Sequence, residues 1–262
     1  MAKLTLALFQ NDSHAGDKHA QLASLRDAAR RAADGGAALL VTPELYMTGY
    51  NIGKLVDELA EPRDGPFMSA VSDLARTCGI HIMCGYAERA DGRIYNSAIL
   101  FGADGVRLFN YRKLHLSGAY EKATFELGDE VVTARIDGVT IAPLICYDVE
   151  FPEAVRAAAR AGAQVVCVPT ALREQYARLA DTMIPTRAFE NGFYVAYVNQ
   201  AGAEGDWEYC GLSRLAGPDG RVVATAGTTE ELVFAVADTD RIAAARAELP
   251  YLDDLRSDMS TA

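Results

Sequence analysis

Glu44 and Cys146 stand where apolar strands end, after ALLVTP and VTIAPLI, and Lys113 in YRKLHL is flanked by Tyr111, Leu114 and Leu116, which suggests a Lys held near the interior rather than on a solvated face. In folds that alternate strands and helices, sites form just beyond strand ends. Cys146 is followed by a short turn and by Pro152, a residue suited to a first helical turn. Its sulfur is therefore expected near backbone N–H groups and a helix N-terminus, a setting that favours thiolate and nucleophilic attack. Taken singly, each residue also has a plainer reading. A Cys among apolar neighbours is usually a small core residue, Glu44 could close or cap a turn, and Lys113 could carry its ammonium out to water. Glu121, in GAYEKATF, could be a solvated charge, and His115 reads as a core histidine rather than a base. Cys84 and Cys167 lie inside apolar strands, where burial leaves a thiol inert, and Cys78 and Cys210 keep the same reading.

Other chemistries find no support. There is no G-x-S-x-G elbow, phosphate loop, G-x-G-x-x-G or H-E-x-x-H. The five cysteines are an odd number without a C-x-x-C pair or a nearby His cluster, which argues against a disulfide framework or a zinc site and for a reducing compartment. A net charge of −11 without a long Lys/Arg run makes nucleic acid an improbable partner. The apolar run in MAKLTLALFQND is too short for a signal peptide, and no stretch approaches the roughly 18 residues of a membrane span. A soluble cytoplasmic protein without membrane contact is the expectation.

The elements that must hold these residues are legible as patterns. At 262 residues, half of them hydrophobic, one domain spanning 1–262 with a large core is expected. Residues 3–9 read as a buried strand, 19–33 as a helix stopped by Gly35 and Gly36, and the run to Val41 as a second strand. A helix over 67–77 ends at Gly79 and is followed by the strand IHIMCGY. Asp-Gly pairs at 91–92, 104–105, 137–138 and 219–220 mark hairpins. The spacing further predicts a strand over 139–145, a helix from Pro152 to Ala161, strands at 164–169 and 193–199, and a helix over roughly 174–190. Hairpins among alternating helices and apolar strands call for mixed sheets covered by helices.

The segments PELYMTGY, YRKLHLSGAYEKATFELGD and LICYDVEFPEAVRAAARAGAQVVCVPTA together resemble, in order and spacing, the three signature regions of the nitrilase superfamily, the carbon–nitrogen hydrolases. The likeness continues through PTRAFENGFYVAYVNQAG and ELPYLDDLRSD and is greatest to the aliphatic amidase-like branch. It implies an α/β fold, a four-layer α-β-β-α sandwich of mixed sheets, and two or more copies of the chain assembled as a homodimer or higher homo-oligomer. The C-terminal tail from about 248 would serve those subunit contacts. By the same resemblance Cys146 is the nucleophile, Glu44 the general base, Lys113 the amine of the triad and Glu121 a second carboxylate, while the Tyr147 N–H joins Lys113 at the oxyanion. Arg187 and Glu190 correspond to a structural pair. No cofactor or metal is implied. Cys-Tyr-Asp stands where nitrilases carry Cys-Trp-Glu, and no Arg pair follows Cys146 as in carbamoyl amino acid hydrolases. The expected substrate is thus a small aliphatic primary amide, cleaved to acid and ammonia through a thioester. Nitrile or carbamoyl hydrolysis, acyl transfer and a non-catalytic binding module are the alternatives. Tyr46, Tyr50, Tyr120 and Thr170 lie close enough in sequence to shape the acyl pocket.

Overall fold

The computed structural model describes residues 2–256. Among the described residues fourteen strands follow in chain order: β1 (Lys3–Gln10), β2 (Leu39–Val41), β3 (His81–Ala90), β4 (Arg93–Phe101), β5 (Arg107–Arg112), β6 (Ala134–Ile136), β7 (Val139–Pro143), β8 (Val165–Pro169), β9 (Tyr194–Val198), β10 (Ala203–Glu204), β11 (Trp207–Glu208), β12 (Arg214–Ala216), β13 (Val222–Thr225) and β14 (Glu231–Asp238). The helices are α1 (Lys18–Asp34), α2 (Val56–Leu59), α3 (Pro66–Cys78), α4 (Gly118–Thr124), α5 (Pro152–Arg160), α6 (Arg178–Asn191), α7 (Thr239–Glu248) and α8 (Tyr251–Asp254).

Twelve strands make two six-stranded mixed sheets, ordered β14-β1-β2-β3-β4-β5 and β13-β12-β9-β8-β7-β6. The alternation along each strand explains why they stack. In β1, Leu4, Leu6 and Leu8 meet Ile141, Val165, Cys167, Tyr194, Ala196 and Val198 of the other sheet, while Ala7 and Phe9 point the opposite way, into the cluster made with Leu25, Ala28 and Ala29 of α1 and Val71 and Ala75 of α3. The outer face of the second sheet, Ala142, Val166, Val168, Val195 and Tyr197, packs on Val155 and Ala158 of α5 and on Ile184 and Ala188 of α6. A strand buried on both faces needs apolar residues at every position, which is why these segments read as continuous runs. The result is the four-layer α-β-β-α sandwich, with helices outside and apolar faces between the sheets.

Local chemistry sets the element ends. Asp17 caps α1 by accepting from the His19 and Ala20 N–H groups, each at 3.0 Å. Asp91–Gly92 and Asp137–Gly138 take positive φ and close the β3–β4 and β6–β7 hairpins. Two expectations shift. The 139–145 strand is regular only to Pro143, although the Leu144 N–H still reaches the Cys167 carbonyl at 3.0 Å. The helix expected over 174–190 divides into a 3-10 turn at Glu174–Tyr176 and α6. Of the tail from about 248, residues to 256 are described and the remainder lies outside the described residues. Among the described residues, no helix is long and apolar enough to cross a membrane.

Candidate active site

Glu44, Lys113 and Glu121 arrive from three separate segments and meet in full burial. Glu44 sits in the loop after β2, anchored by its own N–H to the Thr170 carbonyl at 3.4 Å and by the Gln200 side chain, which donates to the Glu44 carbonyl at 3.1 Å. Gly85 of β3 passes directly beneath: a Cβ there would stand 2.3 Å from the Pro43 carbonyl oxygen and 3.1 Å from the Glu44 Cα. Lys113 leaves the end of β5 with its N–H bonded to the Asn96 carbonyl at 2.8 Å. Glu121 is carried by α4, where one carboxylate oxygen accepts from the Ser117 N–H at 2.7 Å.

The Lys113 Nζ lies 2.7 Å from Glu44 Oε1 and 2.6 Å from Glu121 Oε1. An ammonium offers three N–H donors, so two are committed and one remains. Burial alone would push the Lys113 pKa down, but Glu44 and Glu121 outweigh it and the net direction is up, which keeps the ammonium charged. Glu44 moves the opposite way from an ordinary carboxylate: burial raises it, opposed by Lys113 and reinforced by Glu121, to about 7. Its Oε1 accepts from both Lys113 and the Asn96 amide at 2.7 Å each. Its Oε2 is buried without a hydrogen-bond partner among the described residues.

Cys146 opens a five-residue 3-10 turn, Cys146–Glu150, and holds a left-handed backbone with φ 43°. This is a conformation that residues with a Cβ rarely adopt. The leading N–H groups of such a turn have no partner within it. Asp148, fully buried, fixes the turn: Oδ2 accepts from the Ile145 N–H at 3.0 Å and the Tyr111 hydroxyl at 2.7 Å, and Oδ1 from the His115 N–H at 2.8 Å and the Leu114 N–H at 3.2 Å. One carboxylate thus ties the Cys146 segment to the Lys113 segment. The expected thiolate is corrected. Burial and then the neighbouring Glu44 charge raise the Cys146 pKa well above the ordinary thiol value, with Lys113, Thr170 and the Ala171 N–H opposing. A thiol is therefore the resting form, and a base must relieve it of its proton.

Cys146 borders a cavity of about 480 Å³ whose walls include Tyr50, Tyr120, Tyr147, Glu150, Trp207 and Arg173. Of the four residues expected to shape it, Tyr50 and Tyr120 do so. Tyr46 instead packs in the helix-side core with its hydroxyl on the Gln21 carbonyl at 2.8 Å, and Thr170 is buried beneath, bonded to the Tyr197 hydroxyl at 3.1 Å. A larger surface hollow of about 570 Å³ between α1 and α3 is lined by Arg30, Asp34, Asp73 and Cys78 and lies apart from the buried carboxylates.

Other expectations resolve into structure. Glu121 is no solvated charge: besides Lys113 it accepts the Tyr50 hydroxyl at 2.6 Å. His115 stacks on Phe151 at 4.1 Å and bonds Asp148 at 2.9 Å, outside the cavity wall. Arg187 reaches the Val149 and Glu150 carbonyls at 2.9 and 2.7 Å and Glu190 at 3.1 Å, bracing the Cys146 turn from behind. Cys84 and Cys167 are pushed up to about 12 by burial. Two residues were absent from the sequence reading, Asp148 as an organiser and Glu204. The buried Glu204 accepts the Tyr50 and Asn51 N–H groups at 2.9 and 2.7 Å, the Tyr209 hydroxyl at 2.8 Å and the Ser13 hydroxyl, so it places Tyr50 over Glu121. Among the described residues, no three His, Cys, Asp or Glu side chains cluster to hold a metal ion.

Residues 5–247 match the carbon-nitrogen hydrolase family, and the chain belongs to that family, within the nitrilase superfamily. It is similar to the amidase of Nesterenkonia sp. AN1, solved with acrylamide, at 32% identity and TM-score 0.90 over 98% of this chain and 95% of that one. Another structure of that amidase, with the same identity, coverage and TM-score, shows covalent addition of the acetamide moiety of fluoroacetamide at its active-site cysteine. Among curated relatives, an (R)-stereoselective amidase of a Pseudomonas species is 37% identical over 85% of this chain and 81% of its own length. A 2-oxoglutaramate amidase of Bacillus subtilis is 34% identical over 85% of this chain and 86% of its own.

Proposed function

We propose that this carbon–nitrogen hydrolase is an amidase that converts a small aliphatic primary amide to its acid and ammonia through a thioester on Cys146. The observation that carries the reading is the asymmetry of Glu44. One oxygen is held by Lys113 and Asn96, and the other is buried with no hydrogen-bond partner among the described residues. A desolvated carboxylate oxygen beside a protonated thiol is a proton acceptor waiting for its donor.

The steps follow from that arrangement. Glu44 Oε2 takes the thiol proton as Cys146 Sγ bonds to the amide carbon. The carbonyl electrons move onto oxygen, where the third N–H of Lys113 and the Tyr147 N–H receive the negative charge. Collapse breaks the C–N bond, Glu44 returns the proton to nitrogen, and ammonia leaves. Glu44 then takes a proton from water as the water oxygen attacks the thioester carbon. Collapse breaks the C–S bond, Glu44 returns that proton to sulfur, and the acid leaves with thiol and carboxylate restored. Glu121 keeps Lys113 charged and aimed throughout, since a buried ammonium without such a neighbour tends to lose its proton. None of these steps calls on a cofactor.

The test is ammonia release from a panel of primary amides, carbamoyl compounds and nitriles, with intact-protein mass after acid quench. Amides should be consumed and leave an acyl adduct on the wild type, and Cys146→Ala should be folded and inactive. Turnover retained by Cys146→Ala, or consumption of nitriles alone, overturns the reading.

A further inference from the structure

Along β4 the row of side chains that faces the second sheet runs Leu100, Ala98, Asn96: two apolar residues and then an amide. Asn96 is fully buried. Its side-chain N–H donates to Glu44 Oε1 at 2.7 Å, and its main-chain carbonyl accepts the Lys113 N–H at 2.8 Å. β4 is itself paired on both sides, with β3 and β5. One residue of an interior strand thus spaces the base and the ammonium against each other. The other polar atom of its side chain, Oδ1, is buried without a hydrogen-bond partner among the described residues.

A buried carbonyl left unpaired costs stability. Turning the amide over gives no relief, because Oδ1 would then meet the carboxylate oxygen and set two acceptors face to face. Packing between the sheets is therefore no reason for an amide at this position. The carboxylate is one. Two N–H donors, from Lys113 and Asn96, converge on the same oxygen of Glu44, and this leaves Oε2 as the oxygen able to take a proton. With Lys113 alone the carboxyl could rotate and trade one oxygen for the other; a second donor from a different direction prevents it.

We infer that Asn96 is a positioning residue for the reaction: its amide locks the Glu44 carboxyl with Oε2 free for the thiol proton and supports its ionised form. The inference rests on the amidase reading and adds to it the group that orients the base. Burial raises the Glu44 pKa to about 7, with Lys113 and Asn96 among the groups that pull it back. The other titratable groups that face Glu44 among the described residues are Glu121 from α4, Cys146 from its turn and the hydroxyls of Tyr50 and Tyr209. All of them stay when Asn96 is replaced, so loss of the amide moves Glu44 further up.

Asn96→Leu and Asn96→Ala test it, beside Ser97→Ala, a lesion at the next residue of β4, whose hydroxyl donates instead to Glu88. Thermal melts confirm folding. Two rates are followed against pH: kcat/KM on a primary amide, and alkylation of Cys146 by iodoacetamide, located by peptide mass. In Asn96→Leu both acid limbs should move up by about one pH unit or more, so that each rate at pH 6 falls about tenfold while recovering at higher pH. Asn96→Ala should show the same shift, and it decides the matter if the larger leucine is not accommodated. Ser97→Ala should leave both limbs in place. Limbs that stay put in the folded Asn96 variants, or an equal loss at every pH, overturn the inference while leaving the amidase reading intact. If the wild type releases ammonia from no amide, the amidase reading fails, and the alkylation profiles alone decide Asn96: a raised limb upholds its role and an unmoved one removes it.

Discussion

Three charges are buried together, and only one is positive. Glu44, Lys113 and Glu121 sum to one negative charge when all are ionised, and burial penalises that surplus. The proton that relieves it settles on Glu44, whose pKa is raised to about 7. The base is active as carboxylate, so its competent fraction grows as pH rises toward that value and saturates above it. We expect kcat/KM for an amide to climb through the acid range, close to tenfold per pH unit at its lower end, and to level off near neutrality. A profile flat down to pH 5 would show that Glu44 does not supply the base. Glu44, Lys113 and Cys146 stand out beside apolar runs, but position alone left each with a plainer reading, and it was the likeness of three whole segments to the nitrilase superfamily that grouped them. Glu121 was ambiguous, since its burial is decided by Lys113 and Tyr50, which no local pattern reveals.

At the scale of elements, the site depends on how closely the Glu44 loop rides on β3. Gly85 leaves no room for a side chain, because its Cβ would collide with the Pro43 carbonyl and crowd the Leu45 N–H at 2.9 Å. Those atoms belong to backbone and cannot swing aside. Gly85→Ala should therefore lift Glu44 from Lys113 and lower kcat by at least about tenfold, given how steeply catalysis falls with sub-ångström to ångström misplacement. Steady-state kinetics beside a thermal melt would check it, and wild-type kcat in that variant would mean the loop is more compliant than its contacts suggest. The hairpins announced themselves through Asp-Gly pairs, and α1, α3 and α5 through periodicity and their Gly or Pro boundaries. The pairing of β14 with β1 went unread, as did α7. That strand joins the two ends of the chain, Lys3 opposite Asp238 and Gln10 opposite Glu231, and long-range pairing leaves no trace in either segment alone. Asp148 escaped notice because its work is to accept backbone N–H groups, a role without a spacing signature.

For the molecule as a whole, apolar surface is left near the C-terminal helices. Phe189 of α6 packs edge-on against Tyr251 of α8, with ring centres 5.8 Å apart, and Phe189, Leu249, Tyr251 and Leu255 are each 38–42% exposed. The sequence reading assigned the region from about 248 to subunit contacts, and a second copy of the chain would cover this patch. Light scattering should return at least twice the 28.2 kDa chain mass, and Tyr251→Asp should shift the population toward monomer. A wild type that stays monomeric at tens of micromolar would leave the patch without that partner.

The left-handed turn at Cys146 carries a thermodynamic implication. Positive φ at a residue with a Cβ costs on the order of 1 kcal/mol or more, and glycine escapes that penalty at the expense of a looser unfolded chain. Alanine inherits the strain in full. Of two inactive proteins, Cys146→Gly is thus expected to melt no lower than Cys146→Ala, reversing the usual ranking of those substitutions, and calorimetry on the pair would reveal it. The nucleophile is held in place by the rest of the sandwich against its own local preference, so catalytic competence is drawn from the stability of the fold.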